Sequence, residues 1–526
     1  MSDLDFVFDR IAKEKISRHG SGIVATEDIP VGSTVADKRM AICVPETPMR
    51  SKTCAYCLVM ADESAETVPT AVLKVSSCAS CRMTWYCSKE CQVKDWKQFH
   101  QLECKVFRQF APKLPITLVM LMLRILSLPS KKQDKFLSIM DGMVSHFSLR
   151  KSHPEHTKMV VTMAQGTSQM THSTIPLERL MVLIDKAFVN AATVVDPNFE
   201  TVGIMLDNVI SFFNHSCDPN VYLIFDRGRV RVRTARNITK GEELFISYID
   251  NTQSYPERIE QLQKRYYFTC DCPSCVPVVG LANYDDVRND FVCAKCKGRI
   301  HPYDSTSEAE DGLYNCIHEC PHCKVELLGP TSMRQLDRKL RKSMLAKIDH
   351  IENQKQVKDM LKAIRDIRDL VAVPIYRSPI SSAVQQLIPY LLSIDDMPTA
   401  LKLISIEYFH QEPVLLQDQS VSPVRLAHTL RFVIVLLLHL RSEAQGTSVV
   451  PLMDGVDLHV CMCGLLEDID RLIPLVYGPK SALGLYSQRL KLMAHSMFGN
   501  RTTSASVYQR EMTKLKSLSL QFWDNI

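Results

Sequence analysis

The chain has 526 residues, 46% of them hydrophobic and 23% charged, with a formal net charge of +5. That length exceeds one ordinary hydrophobic core and asks for about two to four domains. The composition excludes a disordered or fibrous chain, and a charge spread this thinly argues for neither an acidic nor a nucleic-acid partner. No stretch resembles a signal or transit peptide. The longest apolar run, FVIVLLLHL at 432–440, is shorter than the roughly 20 residues of a membrane span. A core helix and a chain of the cytosol or nucleus, without membrane contact, are expected. Thiols stay reduced in those compartments, so clustered cysteines read as metal sites before disulfides. Of 19 cysteines, seven fall in 54–104 and nine in 217–323.

In chain order, SRHGSGIVATEDIPVGSTV at 17–35 comes first. Gly20 and Gly22 permit close backbone approach to a ligand ahead of a strand, although a plain turn is the simpler reading of those residues alone. CAYC, CASC, CSKEC and HQLEC follow, with the spacing Cys54-x2-Cys57, Cys78-x2-Cys81, Cys87-x3-Cys91 and His100-x3-Cys104. Eight soft ligands suffice for two tetrahedral zinc ions. Spacing leaves open whether the pairs are shared in adjacent or interleaved fashion. So short a segment lacks a sizeable core, and metal is expected to drive its folding. Residues 108–200 have a mainly helical pattern, as in ITLVMLMLRILSL.

FFNHSCDPN at 212–220 sets Asn214, His215, Ser216 and Cys217 directly after two phenylalanines. Polar groups carried indoors need partners. The stretch turns at Asp218-Pro219-Asn220 into the strand-like VYLIF, so a polar knot is either a costly joint or a holder of something. VYLIFDRGRVRVRTARNI reads as a hairpin turning at Asp226-Arg227-Gly228, with Arg229, Arg231 and Arg233 on one face. A solvated face compensated by Glu242 and Glu243 is a simpler reading than an acidic-substrate or nucleic-acid surface. GEELFISYIDN at 241–251 is a turn and a strand ending in Tyr248, and the Glu242-Glu243 pair in that turn needs no catalytic role.

TCDCPSC supplies Cys270, Cys272 and Cys275, three ligands for an ion that takes four. The site is either open and catalytic or closed by Cys217. Cys293-x2-Cys296 and Cys320-x2-Cys323 read as a zinc ribbon, with Cys316, His318 and His322 blurring its second half. Cys461 and Cys463 read as core thiols. From 331 onward helix formers dominate, without a clean repeat.

WYCSKECQVKDWKQFHQLEC resembles the MYND zinc finger. The glycine stretch, NHSCxPN, GEEL-x-x-SY and CxC-x2-C, in that order, resemble the SET-domain protein lysine methyltransferases. A finger placed after the first SET strands narrows the resemblance to the SET-and-MYND (SMYD) family. The resemblance implies an α+β multidomain chain: a β-rich SET core with an inserted MYND zinc finger and a helical insertion, a post-SET zinc site, a zinc-ribbon-like segment and an all-helical TPR-like C-terminal lobe. The implied boundaries are 1–50 for the first part of SET, 51–107 for the finger, 108–200 for the helical insertion and 201–268 for the SET core. The post-SET motif then takes 269–276, the ribbon-like segment 277–330 and the helical lobe 331–526.

The same resemblance assigns roles. The family interleaves its finger ligands, so Cys54, Cys57, Cys87 and Cys91 take one ion, and Cys78, Cys81, His100 and Cys104 the other. Cys217 becomes the fourth ligand of Cys270, Cys272 and Cys275, which makes that ion structural. With Cys293, Cys296, Cys320 and Cys323, about four structural Zn2+ ions are implied. S-adenosyl-L-methionine (SAM) is the implied cofactor. Gly20, Ser21 and Gly22 match the loop beside it; His19 stands where relatives place Lys or Arg. Asn190, Asn214 and His215 match SAM contacts, His146 a position near the adenosine, and Phe268 the aromatic on adenine. Tyr248 and Tyr266 match the tyrosines framing the lysine channel, where the Tyr248 hydroxyl holds the methyl by weak C–H···O contacts.

The function implied is SAM-dependent protein-lysine N-methylation of histone or non-histone proteins, histone tails being the first substrate class, in the nucleus, the cytoplasm or both. The alternative is a weak or inactive SET–MYND adaptor that recruits partners, such as proline-containing peptides, through its finger. A monomer without direct nucleic-acid binding is expected.

Overall fold

The computed structural model describes residues 10–16, 20–61, 72, 74–113, 115–150, 153–275, 288, 290–293, 295–296, 298–300, 303–308, 314–316, 319–325, 354–370, 374–378, 380–416, 419, 421–444, 455–478, 481–499 and 504–525. The chain divides into two compact units. The first is Met1–Tyr248, Gln261–Thr269 and Ile473–Tyr486; the second is Ile249–Glu260, Cys270–Leu472 and Ser487–Ile526.

The first unit is built from short strands and a helical insertion. Strands β1 (Ile11–Ile16) and β2 (Gly20–Ala25) pair antiparallel, Ile16 opposite Gly20. Strand β3 (Thr34–Arg39) is followed by β4 (Ile42–Pro45), and two small strands, β5 (Ser76–Ser77) and β6 (Trp85–Tyr86), pair within the cysteine-rich segment. Helices α1 (Lys89–Asp95) and α2 (Gln101–Phe110) flank a wide turn at Trp96–His100. Helices α3 (Thr117–Leu126), α4 (Ser130–Asp141), α5 (Phe147–Arg150), α6 (Pro154–Thr171) and α7 (Leu177–Asn190) form the insertion. The chain returns through β7 (Ala192–Val195) and β8 (Thr201–Leu206), which join β4 in the order β4-β8-β7. Strand β9 (Asn214–His215) precedes the hairpin β10 (Val221–Asp226) and β11 (Arg229–Thr234), which extends to the sheet β10-β11-β3. The hairpin turns where the sequence indicates, with Arg227 and Gly228 both at positive φ, 46° and 78°. Strand β12 (Phe245–Ile246) runs parallel to β9.

Two hydrophobic cores hold this unit. One gathers Ile11, Ile23, Val230, Val232 and Ile246 from the strands, with Ile29 and Phe213 from the segments between them. The other joins Ile42 and Val44 of β4 to Leu121, Phe136 and Leu183 of the insertion, and to Cys54, Tyr86, Phe99 and Phe107 of the cysteine-rich segment. That segment was expected to rely on metal for its folding; it also shares the core of helix α3, whose sequence TLVMLMLRIL is apolar nearly all round and so must be buried.

The arginine face of β11 is not compensated by Glu242 and Glu243 as expected. Arg229 and Arg231 pair with Asp37 across the sheet at 2.8 and 3.2 Å, and Arg231 also with Asp226 at 3.3 Å. Arg233 is buried and donates to the Pro474 and Leu475 carbonyls, at 2.8 and 3.0 Å.

In the β7–β8 turn, half-buried Asp196 accepts from the Asn198 and Glu200 N–H groups at 2.8 and 2.9 Å, yet burial pushes its carboxyl up to about 6. From pH about 4, where an unfolded aspartate ionises, to about 6, the folded chain keeps a proton that the unfolded chain has lost. Stability contributed by this group therefore falls as pH rises through that window. Asp196→Asn, which keeps the accepting oxygen, is expected to stabilise by about 1 kcal/mol above pH 6 and to be neutral below pH 4. Urea midpoints measured across pH 3.5–7.5 check this; a variant less stable than the parent at pH 7 would refute it.

The second unit is helical over much of its described length, with a paired hairpin at Phe291–Val292 and Arg299–Ile300. Its helices include α8 (Tyr255–Tyr266), which begins here, then α9 (Gln354–Leu370), α10 (Ile380–Ser393), α11 (Met397–Ile406), α12 (Glu412–Leu415) and α13 (Pro423–Ala444). Helices α14 (Leu458–Val476), α15 (Ala482–Phe498) and α16 (Ala505–Asn525) follow. Helix α11 packs on α10, α13 and α16. The nine-residue apolar run lies in α13, whose 21-residue stretch Pro423–Glu443 is long and apolar enough for a bilayer, with 72% of its apolar window buried inside the protein. Cys461 and Cys463 are buried in α14.

Candidate functional site

The knot foreseen at 212–220 is made by the parallel pairing of β9 with β12: Phe245 stands opposite Asn214 and Ile246 opposite His215. Ser216 N–H donates to the Ile246 carbonyl at 3.0 Å. Each polar group then finds its partner. Asn220 is buried; its amide donates to Glu242 Oε1 and the Glu243 carbonyl, and its Oδ1 accepts from Phe245 N–H at 2.7 Å. Tyr248 N–H donates to His215 Nδ1 at 3.0 Å, so the ring proton sits on Nε2, which faces Cys217 Sγ at 3.3 Å. Both ring nitrogens of His215 are thus spent inside the knot. Asn214 uses its two N–H donors on the Ser21 carbonyl, at 3.1 Å, and Glu243 Oε1, at 2.7 Å. Its own oxygen remains for a donor.

The glycines lie in strand β2 and not in a plain turn. Gly20 is at φ +79°, a conformation other residues adopt only with strain. A Cβ on Gly22 would stand 2.5 Å from Glu243 Oε1 and 2.8 Å from Asn214 Nδ2. Only glycine fits this approach of β2 to the knot. Glu243, expected from sequence to offset the hairpin arginines and to have no catalytic role, is the carboxylate that orients Asn214. Nothing in the local pattern separates it from Glu242, which pairs with Arg236.

An aromatic cluster closes the other side. Tyr248 O–H donates to the Phe213 carbonyl at 2.7 Å, and its ring lies 4.9 Å from that of Tyr266. His215 is 5.3 Å from Tyr248 and 5.9 Å from Phe268, centroid to centroid. Tyr266 and Phe268 face the same space because Tyr267 between them is left-handed, at φ 58°. Burial raises both phenols above their usual range, with Tyr266 adding to the shift of Tyr248, so both stay protonated at neutral pH. The expected strand at 241–251 is shorter than anticipated, since only Phe245–Ile246 pairs. His146 packs on Tyr267 at 5.3 Å, and burial followed by Arg150 holds its imidazole below the usual range. Asn190 ends α7 and donates to the Val144 and Lys186 carbonyls. His19 lies outside the described residues.

The cysteines gather as the interleaved pattern requires. The ligand atoms of Cys54, Cys57, Cys87 and Cys91 lie within 4.8 Å of one another, as do those of Cys78, Cys81, His100 and Cys104, and those of Cys293, Cys296, Cys320 and Cys323. Sulfur separations of 3.6 Å for Cys57–Cys87, 4.0 Å for Cys78–Cys104 and 3.7 Å for Cys293–Cys323 match the ~3.8 Å edge of a zinc tetrathiolate tetrahedron. His100 Nε2 faces Cys81 Sγ at 3.5 Å while Nδ1 faces Glu103 at 3.6 Å, an outer carboxylate that fixes the ring. Asp95, His100 and Glu103 also approach one another, but the guanidinium of Arg124 sits against both carboxylates, so they form an ion-pair cluster. Cys270, Cys272 and Cys275 are buried in the second unit, where Arg258 Nη2 approaches Cys275 Sγ at 3.8 Å; Cys217 is buried at the end of the knot. His322 faces the Arg299 carbonyl instead of the sulfurs, and the Cys316 side chain and His318 lie outside the described residues.

The SET domain family model matches residues 20–249. The chain is 34% identical over 265 residues to "SET domain and MYND-type zinc finger protein 6" of Schizosaccharomyces pombe, covering 50% of this chain and 52% of that one. It is 32% identical over 215 residues to the human "Histone-lysine N-methyltransferase SMYD3", 38% and 49% of the two chains. It is 27% identical over 289 residues to "Histone-lysine N-methyltransferase ASHR1" of Arabidopsis thaliana, 52% and 57%. Residues 20–249 thus match a SET domain, and the chain, which spans about half the length of the curated relatives it matches, is similar there to SET-and-MYND proteins.

The local sequence does not disclose the site contacts of Glu243, Asn220, Arg124 and Arg258. All four act through contacts distant in sequence. The one signal available was Arg124, a lone cation in an apolar helix, which requires a buried counter-charge.

Proposed function

We propose that this chain is a SAM-dependent protein-lysine N-methyltransferase acting on histone or other protein substrates. The observation that carries the reading is the β9–β12 knot, which sets Asn214 and Gly22 on one side and Tyr248, Tyr266 and Phe268 on the other. Asn214, with its oxygen free, and the Gly22 backbone suit the charged amino-acid end of SAM. Since both nitrogens of His215 are engaged, its share falls to its backbone. Phe268, His146 and Asn190 are proposed for the adenosine side. When bound, SAM supplies a methyl group made electrophilic by its sulfonium.

The remaining work belongs to the chain. A lysine must lose its proton to attack, and an aromatic channel favours that loss by desolvation. Because Tyr248 and Tyr266 keep their protons, the channel stays uncharged. The Tyr248 hydroxyl, its hydrogen held by the Phe213 carbonyl, directs its lone pairs elsewhere, where they can accept weak C–H contacts. Catalysis is then a matter of orientation more than of acid–base chemistry.

The eight-ligand segment 54–104 is read as the MYND finger and the helical region after 354 as the TPR-like lobe. By the family resemblance, Cys217 is proposed as the fourth zinc ligand beside Cys270, Cys272 and Cys275. Elemental analysis of the purified chain is expected to return four zinc ions, from eight finger ligands and two further sets of four; two or fewer would remove the later sites.

A second reading has one observation in its favour. Val93, Trp96 and Leu102 are exposed on the finger, at 43%, 40% and 48%, as suits recruitment of a peptide. Calorimetry with SAM, together with labelled methyl transfer to histones and to whole lysate, tests the enzyme. Zinc-replete protein that binds no SAM would leave the adaptor.

A further inference from the structure

Three segments of the first unit carry candidate site residues and are far apart in sequence. Residues 145–150 hold His146, α7 ends at Asn190, and residues 265–268 hold Tyr266 and Phe268. One buried charge pair ties all three. Asp185, midway along α7, is fully buried. Its Oδ2 accepts from the His146 N–H at 2.9 Å and the Ser145 hydroxyl at 2.8 Å, and its Oδ1 from Arg150 Nη1 at 2.6 Å. Arg150 is 2% exposed and donates its second nitrogen, Nη2, to the Arg265 carbonyl. Arg265 completes the circuit: its guanidinium donates to the Phe188 carbonyl at 2.9 Å and the Ala191 carbonyl at 3.3 Å, on either side of Asn190.

Stacking reinforces the same circuit. The Arg150 guanidinium lies 4.9 Å from the Phe188 ring and 5.2 Å from the Tyr267 ring. Arg265 lies 5.1 Å from Phe188 and 5.3 Å from Tyr266. Tyr267, the left-handed residue that lets Tyr266 and Phe268 face one space, therefore packs against both Arg150 and His146. His156 approaches Asp185 at 3.5 Å, but burial, and next Arg150, hold its imidazole below the usual range, so Arg150 is the cation that answers Asp185.

We propose that Arg150 and Asp185 are positioning residues that set the cofactor-facing segments against the aromatic wall of the channel. A buried ion pair is weak evidence for stability, since apolar side chains of equal volume often hold helices as well. What apolar packing cannot do is fix a backbone N–H, a hydroxyl and a distant carbonyl at defined angles. A planar guanidinium fork opposite a two-oxygen acceptor does this. This inference rests on the methyltransferase reading for its purpose, but the circuit can be tested without it.

Arg150→Lys in the full-length, zinc-loaded chain keeps the charge and loses the fork. Hydrogen exchange read by mass spectrometry is expected to quicken together in 145–150, 185–191 and 265–268. SAM affinity, read by calorimetry, is expected to fall about tenfold, with little change in unfolding midpoint. A purely structural role predicts the reverse: a lowered midpoint, and unchanged affinity in the folded fraction. Faster exchange confined to 147–150, or unaltered affinity with concerted exchange absent, overturns the proposal. Ser145→Ala removes only one neutral donor from Asp185 and should move exchange and affinity the same way by about threefold. It decides the matter if the lysine variant does not fold. If the parent chain binds no SAM, the exchange pattern still tests the circuit, and it is the methyltransferase reading that falls.

Discussion

Arg124→Met is expected to destabilise the first unit by about 3–5 kcal/mol, the range for breaking a buried ion pair on one side. Arg124 is 3% exposed and lies in the apolar helix α3. Its five donors are fully employed across three segments. Nε and Nη2 meet the two oxygens of Glu103 at 3.0 and 3.2 Å, Nη2 also faces Asp95, and Nη1 donates to the Cys43 and Ala55 carbonyls at 2.9 Å each. Methionine fills the volume, so the loss is electrostatic: two buried carboxylates lose their cation and two carbonyls their donor. Since Glu103 also steadies the His100 ring, zinc at the Cys78, Cys81, His100 and Cys104 site should become about 10–100-fold easier to remove. Denaturant titration and the rate of zinc capture by a chelator measure the two effects. Adding Glu103→Gln to Arg124→Met should recover part of the stability but not the zinc retention. A single variant with an unchanged denaturation midpoint would refute the argument.

Tyr248→Phe is expected to lower methyl transfer by more than about tenfold while SAM affinity stays within a factor of about two. The hydroxyl removed is the one polar atom that the ring presents next to Tyr266, and its hydrogen is committed to the Phe213 carbonyl. Its absence leaves that carbonyl unpaired, at about 1 kcal/mol of stability, and takes an acceptor from the reacting centre. The ring and its packing on His215 remain. Phe268→Ala should act in the opposite order, losing SAM affinity first, if the ring beside His215 is the one that packs on the adenosine as proposed. Single-turnover rates at saturating SAM separate the two. Equal losses of affinity in both variants would mean that Tyr248 is a binding residue, and unchanged transfer in Tyr248→Phe would remove it from the mechanism.

Much of this molecule was legible before any coordinates. Candidate metal ligands stand out because tetrahedral zinc demands four soft atoms, and short loops bring a Cys-x2-Cys pair together locally. Those pairs are local, so the ligand inventory could be read from spacing; which pair shares an ion with which could not. The same holds for the hairpin at Asp226–Gly228, where turn chemistry is local, and for α3, whose apolar sequence has no solvent face to offer.

The knot lay between the two cases. NHSC after two phenylalanines declared that buried polar groups need partners, but not which. Phe245 N–H for Asn220 Oδ1, Glu243 for Asn214 and Tyr248 N–H for His215 lie 25, 29 and 33 residues away. Only the parallel pairing of β9 with β12 brings them within reach. Arg229 and Arg231 were given the wrong counter-ions for the same reason: their carboxylates are Asp37, across the sheet, and Asp226, at the end of the hairpin.

By itself, then, the sequence determined what is short-range: the Cys and His pairs that could hold a metal, the helical segment after them, the turns, and the presence of a polar knot that had to be satisfied. The tertiary structure alone decided the partners. A salt bridge or a backbone hydrogen bond is a contact of about 3 Å with no periodicity along the chain. Arg124, Asp185, Arg150 and Glu243 acquire their roles only where strands and helices far apart in sequence are folded against one another.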